Sequence, residues 1–140
     1  MRGGTANCYV VISDGDIGSP TTYSVDDLIV MNEPSLHKFI GNLKSGGTLY
    51  VNSSIIDCEI ERDDIKVVKA PVTQMAIDMG NPRGLNVIML GVYIGMTEAV
   101  GEDVIVKGIE HKFENKPKLI PINLDAFSAG LEIGKAAKNA

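Results

Sequence analysis

The chain has 140 residues, of which 44% are hydrophobic and 22% are charged, proportions that are ordinary for a globular protein. This length fits a single domain, residues 1–140, that can bury a sizeable core. The formal net charge of −5 argues against nucleic-acid binding, which needs clustered lysine and arginine side chains. The longest nearly uncharged run, residues 84–97, is too short to cross a bilayer, and the N-terminus has no hydrophobic signal region. We therefore expect a cytoplasmic protein that binds neither nucleic acid nor a membrane.

Strand signals alternate with helix signals along the chain. Residues 7–13 are a run of β-branched and aromatic residues, which predicts a first strand. Residues 27–31 and 48–52 are short apolar runs, typical of central strands that are buried on both faces, and residues 65–69 predict another strand. This order predicts an α/β fold, a three-layer α/β/α arrangement with a mostly parallel sheet.

The helix signals lie between and after these strands. An amphipathic helix is predicted from Leu36 to Leu43, with Gly46-Gly47 as its C-terminal cap. Further helices are predicted after Pro71, over residues 85–96 and from Gly101 onward. The stretch 85–96 is apolar nearly all round, so we expect it to be buried in the domain or against another subunit.

A last helix is predicted after Asn123, which either caps it or precedes it. Gly130 and Gly134 are four residues apart on one face of this helix. Because glycine has no side chain, this spacing allows another backbone to approach closely.

The two cysteines are Cys8 and Cys58. Because the chain has no CxxC or Cys/His spacing, we expect that it holds neither a structural zinc ion nor an iron–sulfur cluster by itself. Cys8 lies in an apolar run and is predicted to be a small core residue. Cys58 lies in a polar turn, where we expect an exposed and reduced thiol, although a disulfide is an open alternative.

Short motifs give no catalytic or metal site. Asp14 and Asp16 resemble the start of a calcium loop, but Val25 stands where that loop needs a bidentate glutamate. The chain has neither a dinucleotide-binding GxGxxG nor a P-loop sequence. His37 and His111 lie among charged residues of predicted helices and are expected at the surface. The residues therefore predict no catalytic group and no metal ligand.

Polar residues follow two of the predicted strands. Asn32 follows the strand at 27–31, and Asn52 ends the strand at 48–52. Ligands of parallel α/β sheets bind beyond the carboxyl ends of the strands, so these side chains, with Asn81 and Arg83 at a helix start, are candidates for lining a crevice. The alternative is that they only cap helices and turns.

Six stretches, taken together, resemble a known family. They are, in order, RGGTANCYVVISD, IGSP, DLIVMNEPSLHKF, GGTLYVNSSII, APVTQMAIDMGNPRGLNVIMLG and NLDAFSAG. Between residues 1 and about 137 the chain resembles the gamma subunit of 2-oxoacid:ferredoxin oxidoreductases, the domain shared by pyruvate, 2-oxoglutarate and branched-chain 2-oxoacid members. A long colinear resemblance of this kind is more specific than any one short motif.

The resemblance implies a subunit of a larger enzyme. That enzyme oxidatively decarboxylates a 2-oxoacid with coenzyme A, forms acyl-CoA and CO2, and reduces ferredoxin. The resemblance implies that thiamine diphosphate, magnesium and iron–sulfur clusters belong to partner subunits, namely alpha, beta and a ferredoxin-like delta subunit. This chain would then be non-catalytic, would bind none of these cofactors alone, and would support assembly near the path of coenzyme A.

The resemblance also places candidate site residues. Arg2, Gly3, Gly4, Thr5 and Asn7 match the RGGT-x-N stretch of the family, so they are expected at a subunit boundary near the active-site cavity. With the strand-end residues, the candidate set for the coenzyme A path or a subunit boundary is Arg2, Gly3, Gly4, Thr5, Asn7, Asn32 and Asn52.

The chain departs from the family at its start. Family members begin with a glycine-rich strand–loop–helix unit, so the resemblance implies a gamma domain that lacks its first strand–helix unit. Three other interpretations stay open. They are the small subunit of an indolepyruvate oxidoreductase, a free-standing module that binds coenzyme A or a nucleotide, and a purely structural α/β module.

Overall fold

Three parallel strands form the sheet of the computed structural model, which describes residues 6–18 and 24–140. They are β1 (Val25–Val30), β2 (Leu43–Asn52) and β3 (Lys66–Ala70), in the spatial order β1-β2-β3. Both strand pairs are parallel, so all three carboxyl ends lie at one edge of the sheet. The α/β fold predicted from the sequence is confirmed, and so are the strands predicted at 27–31, 48–52 and 65–69.

Five α-helices surround the sheet in the described part of the chain. They are α1 (Glu33–Phe39), α2 (Val72–Asp78), α3 (Leu85–Thr97), α4 (Glu102–Lys112) and α5 (Ile120–Lys138). Short 3₁₀ turns follow α1 and precede α3 and α5. No helix that the structure describes combines the length and the apolar character that crossing a lipid bilayer requires.

Each face of the sheet has its own core. On one face, Tyr50, Val68 and Ala70 are buried against α2, α3 and α5. On the other face, Leu49 and Val51 are buried with residues of α1 and of the 53–65 loop. Because successive residues of a strand point to opposite faces, the apolar run of β2 supplies both cores, as expected of a central strand.

The glycine pair at the start of β2 does not end a helix, so this part of the prediction is wrong. Helix α1 ends at Phe39, and β2 already begins at Leu43. Gly46 has a φ of +82°, and a Cβ on Gly47 would lie 2.7 Å from the Asp26 carbonyl oxygen. These glycines let β2 pass close to β1, where the register of the two strands shifts.

Arg62 connects the 53–65 loop to the beginning of β2 through hydrogen bonds. Its guanidinium donates hydrogen bonds to the carbonyl oxygens of Ile40 and Leu43, at 2.9 and 2.7 Å. It also forms a bidentate pair with Asp64, at 2.9 and 2.7 Å. The loop therefore covers its face of the sheet through specific polar contacts as well as through apolar packing.

Helices α3 and α5 pack backbone against backbone. Gly91 and Gly95 of α3 lie against Gly130 and Gly134 of α5, and a Cβ on Gly95 would lie 2.6 Å from the Leu131 carbonyl oxygen. Added Cβ atoms on the other three glycines would also overlap backbone oxygens of the facing helix. The predicted close approach at Gly130 and Gly134 is therefore confirmed. The predicted burial of residues 85–96 is confirmed for most of α3, whereas Asn86 and Leu90 are exposed.

The strand predicted at residues 7–13 is wrong. In the structure these residues have no regular secondary structure, and the side chains of Val10 and Ile12 are 79% and 55% exposed. Cys8 is also exposed, so its predicted place in the core is wrong. A β-strand needs a neighbour to accept and donate its backbone hydrogen bonds, and in the described residues β1 pairs only with β2.

Candidate functional site at the carboxyl edge of the sheet

Asn52 stands at the centre of the carboxyl edge. Its side chain is buried at the end of β2, where Nδ2 donates to Thr73 Oγ1 at 2.9 Å and more weakly to the Met31 carbonyl oxygen at 3.5 Å. Its Oδ1 accepts a hydrogen bond from the Ser54 backbone N–H at 3.3 Å. The amide therefore connects the end of β1, the turn after β2 and the first turn of α2.

The turn that follows Asn52 is held from several sides. The Asn52 carbonyl oxygen accepts hydrogen bonds from the backbone N–H groups of Ile55 and Ile56. Ser53 donates its backbone N–H to Ala70 at the end of β3, and Ser54 Oγ accepts the backbone N–H of Gln74 at 3.0 Å. These contacts support the interpretation that the polar residues after β2 hold the strand ends in place.

Asn32 differs from Asn52 because it is exposed. It follows β1 and caps α1, with its Oδ1 accepting a hydrogen bond from the Ser35 backbone N–H at 3.0 Å. Pro34 in the first turn suits this helix start, since proline lacks the N–H that would find no partner inside the helix. The side chain thus has a capping role and also faces solvent at the edge where ligands of this fold class bind.

The other candidates of the N-terminal stretch are only partly described. Asn7 is exposed in the segment of residues 6–18. Arg2, Gly3, Gly4 and Thr5 lie outside the described residues. The assignment of all five residues to a subunit boundary or to the coenzyme A path stays a prediction.

Asn81 and Arg83 belong to a different part of the molecule. They follow the end of α2, whereas Asn52 contacts Thr73 at its beginning, and a helix of seven residues is about 10 Å long. They line a cleft of about 510 Å³ whose other polar or charged residues are Asn86, Lys112, Asn115, Lys116 and Asn123. The structure therefore divides the candidates of the predicted crevice between two places.

The burial of Asn123, which also lines this cleft, was not predicted from the sequence. The prediction that Asn123 caps or precedes the last helix is wrong, because α5 already begins at Ile120. Asn123 lies within α5 and is only 5% exposed. Its Nδ2 donates to the Leu119 carbonyl oxygen at 2.8 Å, and its Oδ1 lies 3.5 Å from Nδ2 of Asn81. An asparagine among the apolar residues of α5 could have indicated a buried polar contact. Only the packing shows that its partner is Asn81.

A buried tyrosine, Tyr50, adds a polar group on the face of the sheet that α2, α3 and α5 cover. The ring of Tyr50 packs edge to face against Tyr93, with ring centroids 5.6 Å apart, and among the described residues its buried hydroxyl has no hydrogen-bond partner in good geometry. Burial, followed by the nearby Asp27 carboxylate, raises the pKa of Tyr50. Burial and the adjacent Asp26 raise the pKa of Asp27. Because burial disfavours the charged form of both groups, we interpret them as part of the packing.

Three side chains with metal-ligating atoms meet between α1 and the 53–65 loop. Glu33 and His37 belong to α1, and Cys58 belongs to the 53–65 loop. One ligand atom from each lies within 4.8 Å of the other two. The sequence did not predict this cluster, because its members come from two separate segments.

Comparison with known proteins gives a consistent result. The pyruvate ferredoxin/flavodoxin oxidoreductase family matches residues 1–133. The 2-oxoglutarate synthase subunit KorC of Methanothermobacter marburgensis is 36% identical over 140 residues, a match that covers 94% of this chain and 73% of KorC. The ketoisovalerate oxidoreductase subunit VorA of the same organism is 34% identical over 134 residues. That match covers 94% of this chain but only 28% of VorA.

Two solved structures have a similar fold. The gamma subunit of a keto/oxoacid ferredoxin oxidoreductase from Geobacter sulfurreducens PCA has a TM-score of 0.79 and 22% identity, covering 89% of this chain and 68% of that one. A 2-oxoglutarate:ferredoxin oxidoreductase from Magnetococcus marinus, with 2-oxoglutarate, coenzyme A and succinyl-CoA bound, has a TM-score of 0.74 and 21% identity. It is matched over 94% of this chain and 22% of its own.

Proposed function

Because the chain belongs to the pyruvate ferredoxin/flavodoxin oxidoreductase family, we propose that it is the gamma subunit of a 2-oxoacid:ferredoxin oxidoreductase. The observation that carries this proposal is the similarity to KorC, which extends over 73% of that subunit. The proposed enzyme converts a 2-oxoacid and coenzyme A to acyl-CoA and CO2 and passes the electrons to ferredoxin. In this proposal the alpha, beta and ferredoxin-like delta subunits hold thiamine diphosphate, magnesium and the iron–sulfur clusters.

Within that enzyme, the proposed contribution of this chain is structural. The polar groups at the carboxyl edge of the sheet hold strand ends and cap α1, as the contacts of Asn52 and Asn32 illustrate. The partners of the two residues are backbone groups and the Thr73 hydroxyl. All of these contacts lie within this chain and stabilise its own fold. In this proposal the chemistry is carried out by the partner subunits.

A position beside the path of coenzyme A is the finer part of the proposal. It involves the N-terminal residues Arg2, Gly3, Gly4, Thr5 and Asn7, together with Asn32, which is exposed at the carboxyl edge. A guanidinium is suited to the phosphates of coenzyme A, because it donates paired hydrogen bonds to phosphate oxygens. Asn52 is the weakest member of the set, since its side chain is only 1% exposed.

Reconstitution tests the subunit assignment. The chain is produced with and without its alpha, beta and delta partners, and ferredoxin reduction is measured with pyruvate, 2-oxoglutarate and branched-chain 2-oxoacids in turn. We expect no activity from the chain alone, and activity that depends on both coenzyme A and this chain in the assembled enzyme. Full activity without the chain, or failure to associate with a thiamine-diphosphate-binding partner, contradicts the proposal.

The coenzyme A path is tested by kinetics of the assembled enzyme. We expect Arg2→Ala and Asn32→Ala to raise the KM for coenzyme A and to leave the KM for the 2-oxoacid unchanged. Asn139→Ala, which changes an exposed asparagine at the end of α5 and outside both candidate sites, is the matched control. If all three variants have the KM of the wild type for coenzyme A, the chain supports assembly only.

A second candidate function is a free-standing module that binds coenzyme A or a nucleotide. The specific observation in its favour is the cleft near Asn81, where Arg83, Lys112 and Lys116 provide positive charge. Calorimetry with the isolated chain separates the two proposals, because tight binding of coenzyme A without partners favours the free-standing module.

An indolepyruvate oxidoreductase is distinguished by the same reconstitution assay with indolepyruvate as the substrate.

A further inference from the structure

We propose that Glu33, His37 and Cys58 form a binding site for a divalent transition-metal ion of the Zn²⁺ type between α1 and the 53–65 loop. This site is independent of the function proposed above, since it depends only on side chains within this chain. One ligand atom of each residue lies within 4.8 Å of the other two.

Helix α1 prearranges two of the three ligands. Glu33 and His37 are separated by four residues, so their side chains lie on the same face of the helix. Glu33 Oε1 and His37 Nε2 are 3.2 Å apart. Two ligands of a tetrahedral zinc ion, with metal–ligand distances near 2.0–2.2 Å, are roughly 3.4 Å apart, so this pair already has the required spacing.

Cys58 belongs to the 53–65 loop, which packs on the same face of the sheet as α1. The residue is half-buried, and its side chain packs against a core that contains Leu36 of α1 and Ile56 of the loop. The same core holds the helix and the loop together, so the thiol stays beside the pair of Glu33 and His37. A zinc–sulfur bond of about 2.3 Å requires the sulfur to be roughly 3.5 Å from the other ligands. The sulfur lies within 4.8 Å of both, so a shift of at most roughly 1.3 Å completes the site.

The chemistry of the three ligands selects the metal. Thiolate and imidazole prefer borderline ions such as Zn²⁺, whereas Mg²⁺ and Ca²⁺ prefer sites made only of oxygen ligands. Three protein ligands leave a fourth tetrahedral position for water or for a group from a partner. A simple surface ion pair between Glu33 and His37 needs no cysteine, so the place of Cys58 is the observation that points to a metal.

The experiment titrates the full chain with Zn²⁺ by calorimetry and with Co²⁺ by absorption spectroscopy. We expect one ion per chain and a thiolate-to-cobalt absorption band. Cys58→Ser and His37→Gln are expected to weaken binding by more than about tenfold, because loss of even an outer partner of a metal ligand costs about 10–100-fold. Cys8→Ser is the matched control, since the exposed Cys8 is not part of the cluster.

A second measurement does not depend on the stability of any variant. In the wild-type chain, Zn²⁺ is expected to protect Cys58 from alkylation and to leave Cys8 reactive, with each thiol identified by peptide mass spectrometry. The proposal is overturned if Zn²⁺ protects neither thiol, if it protects both to the same extent, or if Cys58→Ser binds the metal as tightly as the wild type does.

Discussion

The interface between α3 and α5 and the segment of residues 6–18 are similar in composition and opposite in environment. Both combine glycine with β-branched or aliphatic residues. In the helix pair, Ile88 and Val92 are completely buried, and the helices meet at Gly91, Gly95, Gly130 and Gly134. In the segment, Val10 is 79% exposed. Apolar composition therefore does not decide burial by itself.

The two regions differ in whether a second element packs against them. Helix α5 presents glycines at the positions where α3 also has glycines, so the two backbones meet without side chains between them. The segment of residues 6–18 has no strand beside it among the described residues, and its apolar side chains face solvent. Apolar residues are buried only where a second element offers a surface of matching shape.

The largest effect is expected from a methyl group at the helix contact. A Cβ on Gly130 overlaps the carbonyl oxygen of Ile88, and two rigid backbones cannot move apart without losing the rest of the interface. We expect Gly130→Ala to lower the free energy of unfolding by about 3 kcal/mol or more, measured by urea denaturation. Gly108→Ala in α4 is the control, because a Cβ there meets open space. An unchanged unfolding midpoint for Gly130→Ala disproves the close contact.

The next effect is expected at the carboxyl edge, where two asparagines have different environments. Asn52→Ala removes the hydrogen bonds of a buried amide to Thr73 and to the Ser54 N–H, so we expect a loss of about 1–3 kcal/mol. Asn32→Ala removes an exposed helix cap and is expected to cost about 1 kcal/mol. Thermal or urea unfolding of the two variants measures the difference. An Asn52 variant no less stable than the Asn32 variant argues against the buried network.

A pH-dependent effect is expected where the 53–65 loop joins the sheet. The hydrogen bond from Arg62 lowers the pKa of Asp64 to about 2, from an ordinary value of 3.8. A carboxylate with a lowered pKa in the folded state stabilises the fold above its unfolded pKa, and this contribution is lost as the pH falls from about 4 to about 2. We expect Asp64→Asn and Arg62→Gln to flatten the fall in unfolding midpoint over this range. If both variants retain the full slope of the wild type, this ion pair does not cause it.

The smallest effect is expected in the exposed segment. Val10→Ala is expected to change the free energy of unfolding of the isolated chain by less than about 0.5 kcal/mol, because the side chain is 79% exposed. Val92→Ala in α3 is the matched substitution, and its complete burial predicts a loss of about 2 kcal/mol. If the two variants lose the same free energy of unfolding, the helix pair and the segment of residues 6–18 do not differ in burial as described.

Much of the secondary structure was predictable because it depends on neighbours in the chain. The apolar runs at 27–31, 48–52 and 65–69 are strands, and the nearly all-apolar stretch at 85–96 is the buried helix α3. The glycines at 130 and 134 indicated a close backbone approach, which the structure confirms. The resemblance to 2-oxoacid:ferredoxin oxidoreductases, which was drawn from colinear stretches, is confirmed at the level of the family.

The errors concern contacts between segments that are distant in the chain. Gly46-Gly47 has the local character of a helix cap, and only its contact with Asp26 of β1 explains why it lies in a strand. Residues 7–13 have the composition of a strand, but a strand also requires a neighbour. Asn32 and Asn52 at strand ends were grouped with Asn81 and Arg83 at a helix start, but the length of α2 separates the two pairs.

The sequence by itself determined the order of the three paired strands and of the helices between and after them, the parallel α/β class and the family, since periodicity and colinear motifs are local or linear properties. The tertiary structure decided which apolar residues are buried, which asparagine is buried and which is exposed, and how Glu33, His37 and Cys58 come together. The physical reason is that burial and ligand geometry depend on the shape and distance of a second segment. Those quantities are defined only when the chain is folded.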